Sequence, residues 1–196
     1  MSQNVQGAGT DVAQSERLKV MTKFVQDVLK ISKMMESKEV LYKNLPYLLI
    51  PLLVLTDLLI KDYSVKCLEF GVSINFIPFI DLLLIYNSGI AFGMFDLDER
   101  IFSNIIFVFG LFIVIYLFKL MKDENALLRK YSFALIVGGA LGNLIDRIPD
   151  GQVTDMFHFH TSNFSFFVFN PADAFISVGA VLIIYSELFY KNEITK

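Results

Sequence analysis

The chain holds one cysteine, Cys67, and no tryptophan. A single cysteine excludes an internal disulfide framework and any cysteine-rich metal site. With no motif around it, Cys67 is expected to be a partly buried structural thiol. Without tryptophan, anchoring at a membrane–water boundary falls to the 20 Phe and 8 Tyr. Charge is also scarce, at 19% of 196 residues, where an ordinary soluble domain carries about a quarter. The net charge of −3 and the lack of a basic tract exclude a nucleic-acid partner. What is present is apolar: 55% hydrophobic residues and a mean hydropathy of +0.56. That composition is that of a single-domain membrane protein.

Residues 1–16 are polar and rich in Gly, Ser and Gln, and no regular structure is expected there. From Arg17 to about Lys43, Leu18, Met21, Val25 and Val28 alternate helically with Lys19, Lys23, Lys30 and Lys33. This reads either as an amphipathic basic helix lying on a membrane surface or as an extension that tolerates headgroups. It is not a secretory signal peptide, because no apolar run precedes a small-residue cleavage site. Four apolar segments follow, at about 45–63, 101–120, 131–148 and 171–190, and each is expected to cross the bilayer. Lys and Arg gather in residues 1–44, in the connection after the second span and in the tail 191–196. The 149–170 loop has neither residue, and the 64–100 loop has only Lys66 and Arg100. Both termini are therefore expected on the cytoplasmic side, with the two loops outside. The 64–100 loop mixes β-branched, aromatic, Gly and Pro residues, which suits a short antiparallel sheet and a linking interfacial helix.

Ionisable and amide side chains cluster at the outer ends of these segments. Asp57 precedes Lys61 by one helical turn, a spacing for an intrahelical pair. In GGALGNLIDR, Gly138 and Gly142 allow close helix approach. Asn143, Asp146 and Arg147 follow on one face, with Asp146 and Arg147 readable as a structural ion pair. Asp155 lies in a β-like run, GQVTDMF, and in isolation would be a solvated turn residue. The fourth span opens as FNPADAF. Asn170 suits the N-cap, Pro171 the first helical position and Asp173 the third. The helix dipole alone favours an acid there by roughly 0.3–1 kcal/mol. YNSGIAFGMF offers Asn87 beside two glycines, an amide that can bond a peptide. His158 and His160 share one face of a strand but supply only two ligands, so no metal centre is expected.

Five ordered blocks, DLLIK, NSGIAFGMF, GGALGNLIDR, GQVTDMFHF and FNPADAFISVG, cover most of residues 45–190. Together they resemble the lipoprotein signal peptidase (signal peptidase II) family of bacterial intramembrane aspartyl peptidases. The resemblance implies an all-α polytopic fold of four transmembrane helices with a small extracytoplasmic β-sheet and an interfacial helix. It implies cleavage of prolipoproteins just before a diacylglyceryl-modified cysteine, at the outer face of the bacterial inner membrane. Asp155 and Asp173 match the family's catalytic pair. Asp57, Asn87, Asn143, Asp146, Arg147 and Asn170 match its substrate-binding or supporting positions. It further implies membrane lipids and globomycin-type inhibitors as partners, and no cofactor or metal. Ile90, Thr154, Pro171 and Ala174 depart from the residues usual at their positions without removing a functional group. Residues 1–44 fall outside the resemblance.

Two carboxylates a few ångströms apart do not ionise independently, so such a pair tends to share one proton near neutral pH. A transporter or channel would place its polar groups at mid-membrane depth, whereas here they gather at helix ends, and no inverted repeat is visible. A non-catalytic anchor subunit would have no need of two acids at helix boundaries.

Overall fold

The computed structural model of the chain describes residues 6–89, 99–161 and 163–189, with side chains for only part of 6–39. Among these residues four helices, α1 (Gln6–Cys67), α2 (Glu99–Asp123), α3 (Leu127–Arg147) and α4 (Pro171–Phe189), accompany four strands. The strands are β1 (Ser73–Ile77), β2 (Ile80–Asn87), β3 (Val153–Thr161) and β4 (Phe164–Phe169). The chain divides into two compact units, Met1–Leu45 and Pro46–Lys196. In the first, residues 6–16 are helical, against the expectation of no regular structure. That stretch holds no proline, and its Ala, Gln and Glu residues are compatible with helix.

In the second unit α3 is the central helix. Its glycines let two neighbours approach: a Cβ on Gly138 would meet Leu53 and the Ile50 carbonyl of α1. On Gly139, a Cβ would run into the Ala172 carbonyl of α4. One face of α1 carries the buried Ile50, Leu53, Asp57 and Lys61, spaced as a helical stripe. Leu48, Leu52, Leu55 and Leu59 form the opposite, exposed stripe. Ile50 joins Val114 and Met121 of α2 and Ala134, Val137 and Leu144 of α3 in the hydrophobic core. Among the described residues, two helices, Arg100–Asp123 and Pro171–Phe189, are long and apolar enough to cross a membrane. Exposed Val108, Phe109, Phe112 and Ile115 on α2, with Val181, Ile184 and Leu188 on α4, leave wide apolar faces.

The 64–100 and 149–170 segments combine into one antiparallel sheet of order β1-β2-β3-β4. The linking helix expected in the first of these segments, like Ile90, lies outside the described residues wherever it falls within 90–98. Asp155 is paired opposite Ile85 on β2, so the central strand pair fixes the backbone that carries it. His158 and His160 share one face, as their alternation predicts, with ring centroids 5.3 Å apart. Cys67 is exposed rather than partly buried. It is the last residue of α1, where the helix gives way to the segment leading into β1.

Candidate active site

The N-terminus of α4 is built by a reciprocal cap. The Asp173 N–H donates to Asn170 Oδ1 (3.0 Å), and the Asn170 N–H donates back to Asp173 Oδ2 (3.3 Å). Pro171 fills the first helical position, where the missing N–H is no loss. The Asn-Pro-x-Asp spacing therefore predicts the helix start correctly. The cap also aims Asp173, because a carboxylate held by its own helix end has little rotational freedom.

Asn170 has a second role that its capping pattern does not reveal. Its amide Nδ2 donates to Asp155 Oδ1 at 2.6 Å. One fully buried side chain thus touches both aspartate-bearing segments. Asn87 Nδ2 donates to the other Asp155 oxygen at 3.0 Å, and Asn87 Oδ1 accepts from the Gly89 N–H at 2.8 Å. Asn143 Nδ2 donates to Asp173 Oδ1 at 2.8 Å. All four carboxylate oxygens of Asp155 and Asp173 consequently accept a hydrogen bond. Both acids, with Asn87, Asn143 and Asn170, line a cavity of about 260 Å³, whose apolar wall includes Ile106 and Leu144.

Asp155 is 1% exposed, far from the solvated turn residue that its position in isolation suggests. Burial pushes its carboxyl up to about 6, and the charge of Asp173 adds to the effect. The Asn87 and Asn170 amides and the Lys61 ammonium oppose it.

Asp146 does not pair with Arg147. Adjacent helical residues point in different directions, and Asp146 Oδ2 lies 3.3 Å from Lys61 Nζ. The same oxygen accepts from the Thr154 N–H at 2.7 Å. Arg147 instead donates to the carbonyls of Ser88 (3.1 Å) and Gly151 (3.0 Å) and to the Ser103 hydroxyl (3.3 Å). It clamps the end of β2, the turn before β3 and α2 together at the cavity wall. Asp57 is fully buried; it faces Lys61 at 2.8 Å and accepts from the Ala172 N–H at 2.9 Å.

One participant went unread in the sequence and another was read only in part. Ser103, in an apolar segment, donates to the Gly151 carbonyl at 2.6 Å, and nothing in its surroundings marks it. Lys61 is legible only as the partner of Asp57, yet it also donates to Asn143 Oδ1 at 2.7 Å. Its partners beyond α1 are more than a span away in sequence, and periodicity carries no information about them.

The α1–α3 contact gives a direct test of this packing. A Cβ at position 142 would sit 2.6 Å from Asp57 Oδ2, closer than real contacts allow. Gly142→Ala is expected to displace Asp57 and destabilise the protein by about 1–3 kcal/mol, the usual range for overpacking. Thermal unfolding of the detergent-solubilised variant measures it. A transition temperature equal to wild type would refute the close approach.

Apolar helices, a small sheet and the carboxylates of Asp155 and Asp173 on one cavity describe a membrane enzyme. Residues 49–189 match the family described as signal peptidase (SPase) II, and the chain belongs to that family of peptidases. It is 41% identical over 157 residues to a lipoprotein signal peptidase of Pelagibacter ubique, covering 79% of this chain and 92% of the relative. It is 43% identical over 144 residues to one of Mesorhizobium japonicum, covering 73% and 85%. A solved bacterial membrane enzyme superposes with a TM-score of 0.63 at 28% identity. That superposition spans 78% of this chain and 92% of the other.

Proposed function

We propose that this peptidase removes signal peptides from prolipoproteins by cleaving before the diacylglyceryl-modified cysteine, with Asp155 and Asp173 as its catalytic pair. The observation that carries the assignment is the convergence of the two acids on one cavity, with every carboxylate oxygen held by an amide. Such fixed acceptors suit a reaction in which a proton is handed between two oxygens and a substrate.

With one proton on the pair, the ionised carboxylate takes a proton from a water molecule as that water attacks the scissile carbonyl. The protonated carboxyl donates to the carbonyl oxygen, giving a neutral tetrahedral intermediate. Collapse of that intermediate breaks the C–N bond: the protonated carboxyl gives its proton to the departing amine while the other carboxylate takes one from a hydroxyl of the intermediate, so the pair ends with the single proton it began with. Asn87, Asn143, Asn170 and Arg147 support the site and bind peptide; Asp57 and Asp146 support it from behind. The acyl chains of the substrate stay in the bilayer, and globomycin-type inhibitors occupy the same cavity.

The surrounding arrangement is four transmembrane helices in the bacterial inner membrane, both termini cytoplasmic and the sheet outside. The distribution of Lys and Arg supports this orientation. The exposed leucine stripe of α1 supports a third lipid-facing helix. α3 is less apolar because Arg129, Lys130, Asp146 and Arg147 lie along it, at its two ends rather than its middle.

The deciding experiment is cleavage of a diacylglyceryl-modified signal-peptide substrate by the purified protein in detergent, with a chelator present. Product ending just before the lipidated cysteine is expected. Failure to cleave it, with cleavage of an unlipidated peptide instead, would overturn the assignment.

The pH dependence follows from Asp155. Loss of the shared proton, governed by about 6 in the free enzyme, gives kcat/KM a descending limb as pH rises through that value. Asn87 stabilises the charged form of Asp155, so removing its amide favours the protonated form. Asn87→Ala is expected to move the limb toward higher pH by on the order of one unit. A limb that moves to lower pH, or stays in place, would exclude Asp155 as the group being titrated.

A further inference from the structure

Lys61 is 2% exposed and sits behind the cavity rather than in its wall. Its ammonium reaches three groups: Asp57 Oδ2 at 2.8 Å, Asn143 Oδ1 at 2.7 Å and Asp146 Oδ2 at 3.3 Å. An ammonium has three donors and no acceptor. The atom of Asn143 that faces it must therefore be the carbonyl oxygen, and this leaves the NH2 group to point at Asp173 Oδ1. A flipped Asn143 would set NH2 against NH3⁺ and its carbonyl oxygen against a carboxylate. Both bonds would become repulsive contacts.

The other two arms end on backbone. Asp57 accepts from the Ala172 N–H, one residue before Asp173, and Asp146 accepts from the Thr154 N–H, one residue before Asp155. Each arm thus fixes the peptide unit next to one of the two acids.

We propose that Lys61 is the positioning residue of this site: it locks the amide of Asn143 toward Asp173 and, through Asp57 and Asp146, anchors the backbone beside both aspartates. It touches neither acid directly, so its action passes through Asn143 and the two arms. The proposal rests on the assignment of Asp155 and Asp173 as the catalytic pair.

The test compares wild type, Lys61→Met, Lys61→Arg, Asn143→Ala, the double variant Lys61→Met/Asn143→Ala and Asp173→Asn on the lipidated peptide. Lys61→Met is expected to lower kcat by about 100-fold or more with KM within a few-fold, since the loss falls on proton transfer. Lys61→Arg, also a donor without an acceptor, is expected to recover part of that activity. The double variant is expected to lose less than the product of the two single losses, because part of the lysine's action passes through that amide. Fully multiplicative losses, or a rise in KM with kcat unchanged, would overturn the proposal.

If Lys61→Met does not fold, the same comparison in the Asp146→Asn background restores the original net charge of the cluster and decides in its place. Undiminished cleavage by Asp173→Asn would overturn the underlying assignment, and the proposal with it. That outcome is distinct from an additive Lys61 result on an enzyme that needs Asp173.

Discussion

Asp155→Asn and Asp173→Asn are each expected to lower kcat/KM on the lipidated peptide by about 10³-fold or more, the scale of losing a positioned acid or base. Both variants should remain folded, and the hydrogen bonds explain why. Asp155 accepts from Asn87 Nδ2 and Asn170 Nδ2. An asparagine at 155 accepts only one of these, and its own NH2 confronts the second donor. Neither neighbour is free to turn round, since Asn87 Oδ1 is held by Gly89 and Asn170 Oδ1 by the Asp173 N–H. The loss is about one hydrogen bond, or roughly 1 kcal/mol.

A second effect opposes that loss. A carboxyl raised from 3.8 to about 6 by folding contributes stability fully below pH 3.8. That contribution fades as pH rises through about 6, because the native state then gives up a proton it had held against burial. Asp155→Asn removes the penalty along with the acid. Thermal unfolding in detergent should therefore show wild type losing stability between pH 4 and pH 7 and the variant losing less. Normal processing by either asparagine variant would remove the catalytic pair; an unchanged pH slope would remove the buried titration of Asp155.

The second large effect is on stability. Asp57→Leu leaves the Lys61 ammonium with Asp146 and Asn143 alone and strands the Ala172 N–H in a fully buried position. Breaking a buried ion pair by removing one partner costs about 3–5 kcal/mol, a large share of a typical fold's net stability. The variant is expected to accumulate poorly and to unfold well below wild type in detergent. Asp57→Asn keeps one acceptor and should fall between the two. Activity should follow stability in this pair, unlike the pair above. An Asp57→Leu protein with wild-type unfolding temperature and lost cleavage would mean that Asp57 belongs to the chemistry rather than to the scaffold.

Local features were legible because their physics is local. Asn170, Pro171 and Asp173 lie within four residues, and a capping geometry follows from their order. Gly138 and Gly142 mark a close approach because only small residues permit one, although their spacing does not say which helix arrives. The alternation of His158 and His160 fixes a shared face. By contrast, Asp155 looks like an ordinary turn acid until the sheet buries it, and only the family resemblance singles it out. Asp146 beside Arg147 invites an ion pair, but helical geometry points them apart and a lysine 85 positions earlier takes the acid. Cys67 misled for a simpler reason: the lack of a reactive motif around it suggests a partly buried structural thiol, while its place at the end of a helix leaves it exposed.

The Asp57–Lys61 pair has a consequence for the order in which the molecule comes together. α3, β3, β4 and α4 follow one another along the chain, and their mutual contacts close short loops. The bonds from α1 reach 82 residues to Asn143 and 115 to Ala172. Loop-closure entropy therefore favours the docking of α1 after those local contacts, although α1 precedes them in the chain. During that interval Asp57 and Lys61 are one helical turn apart and can satisfy each other. The helix that waits longest for its partners carries its own counter-charge while it waits.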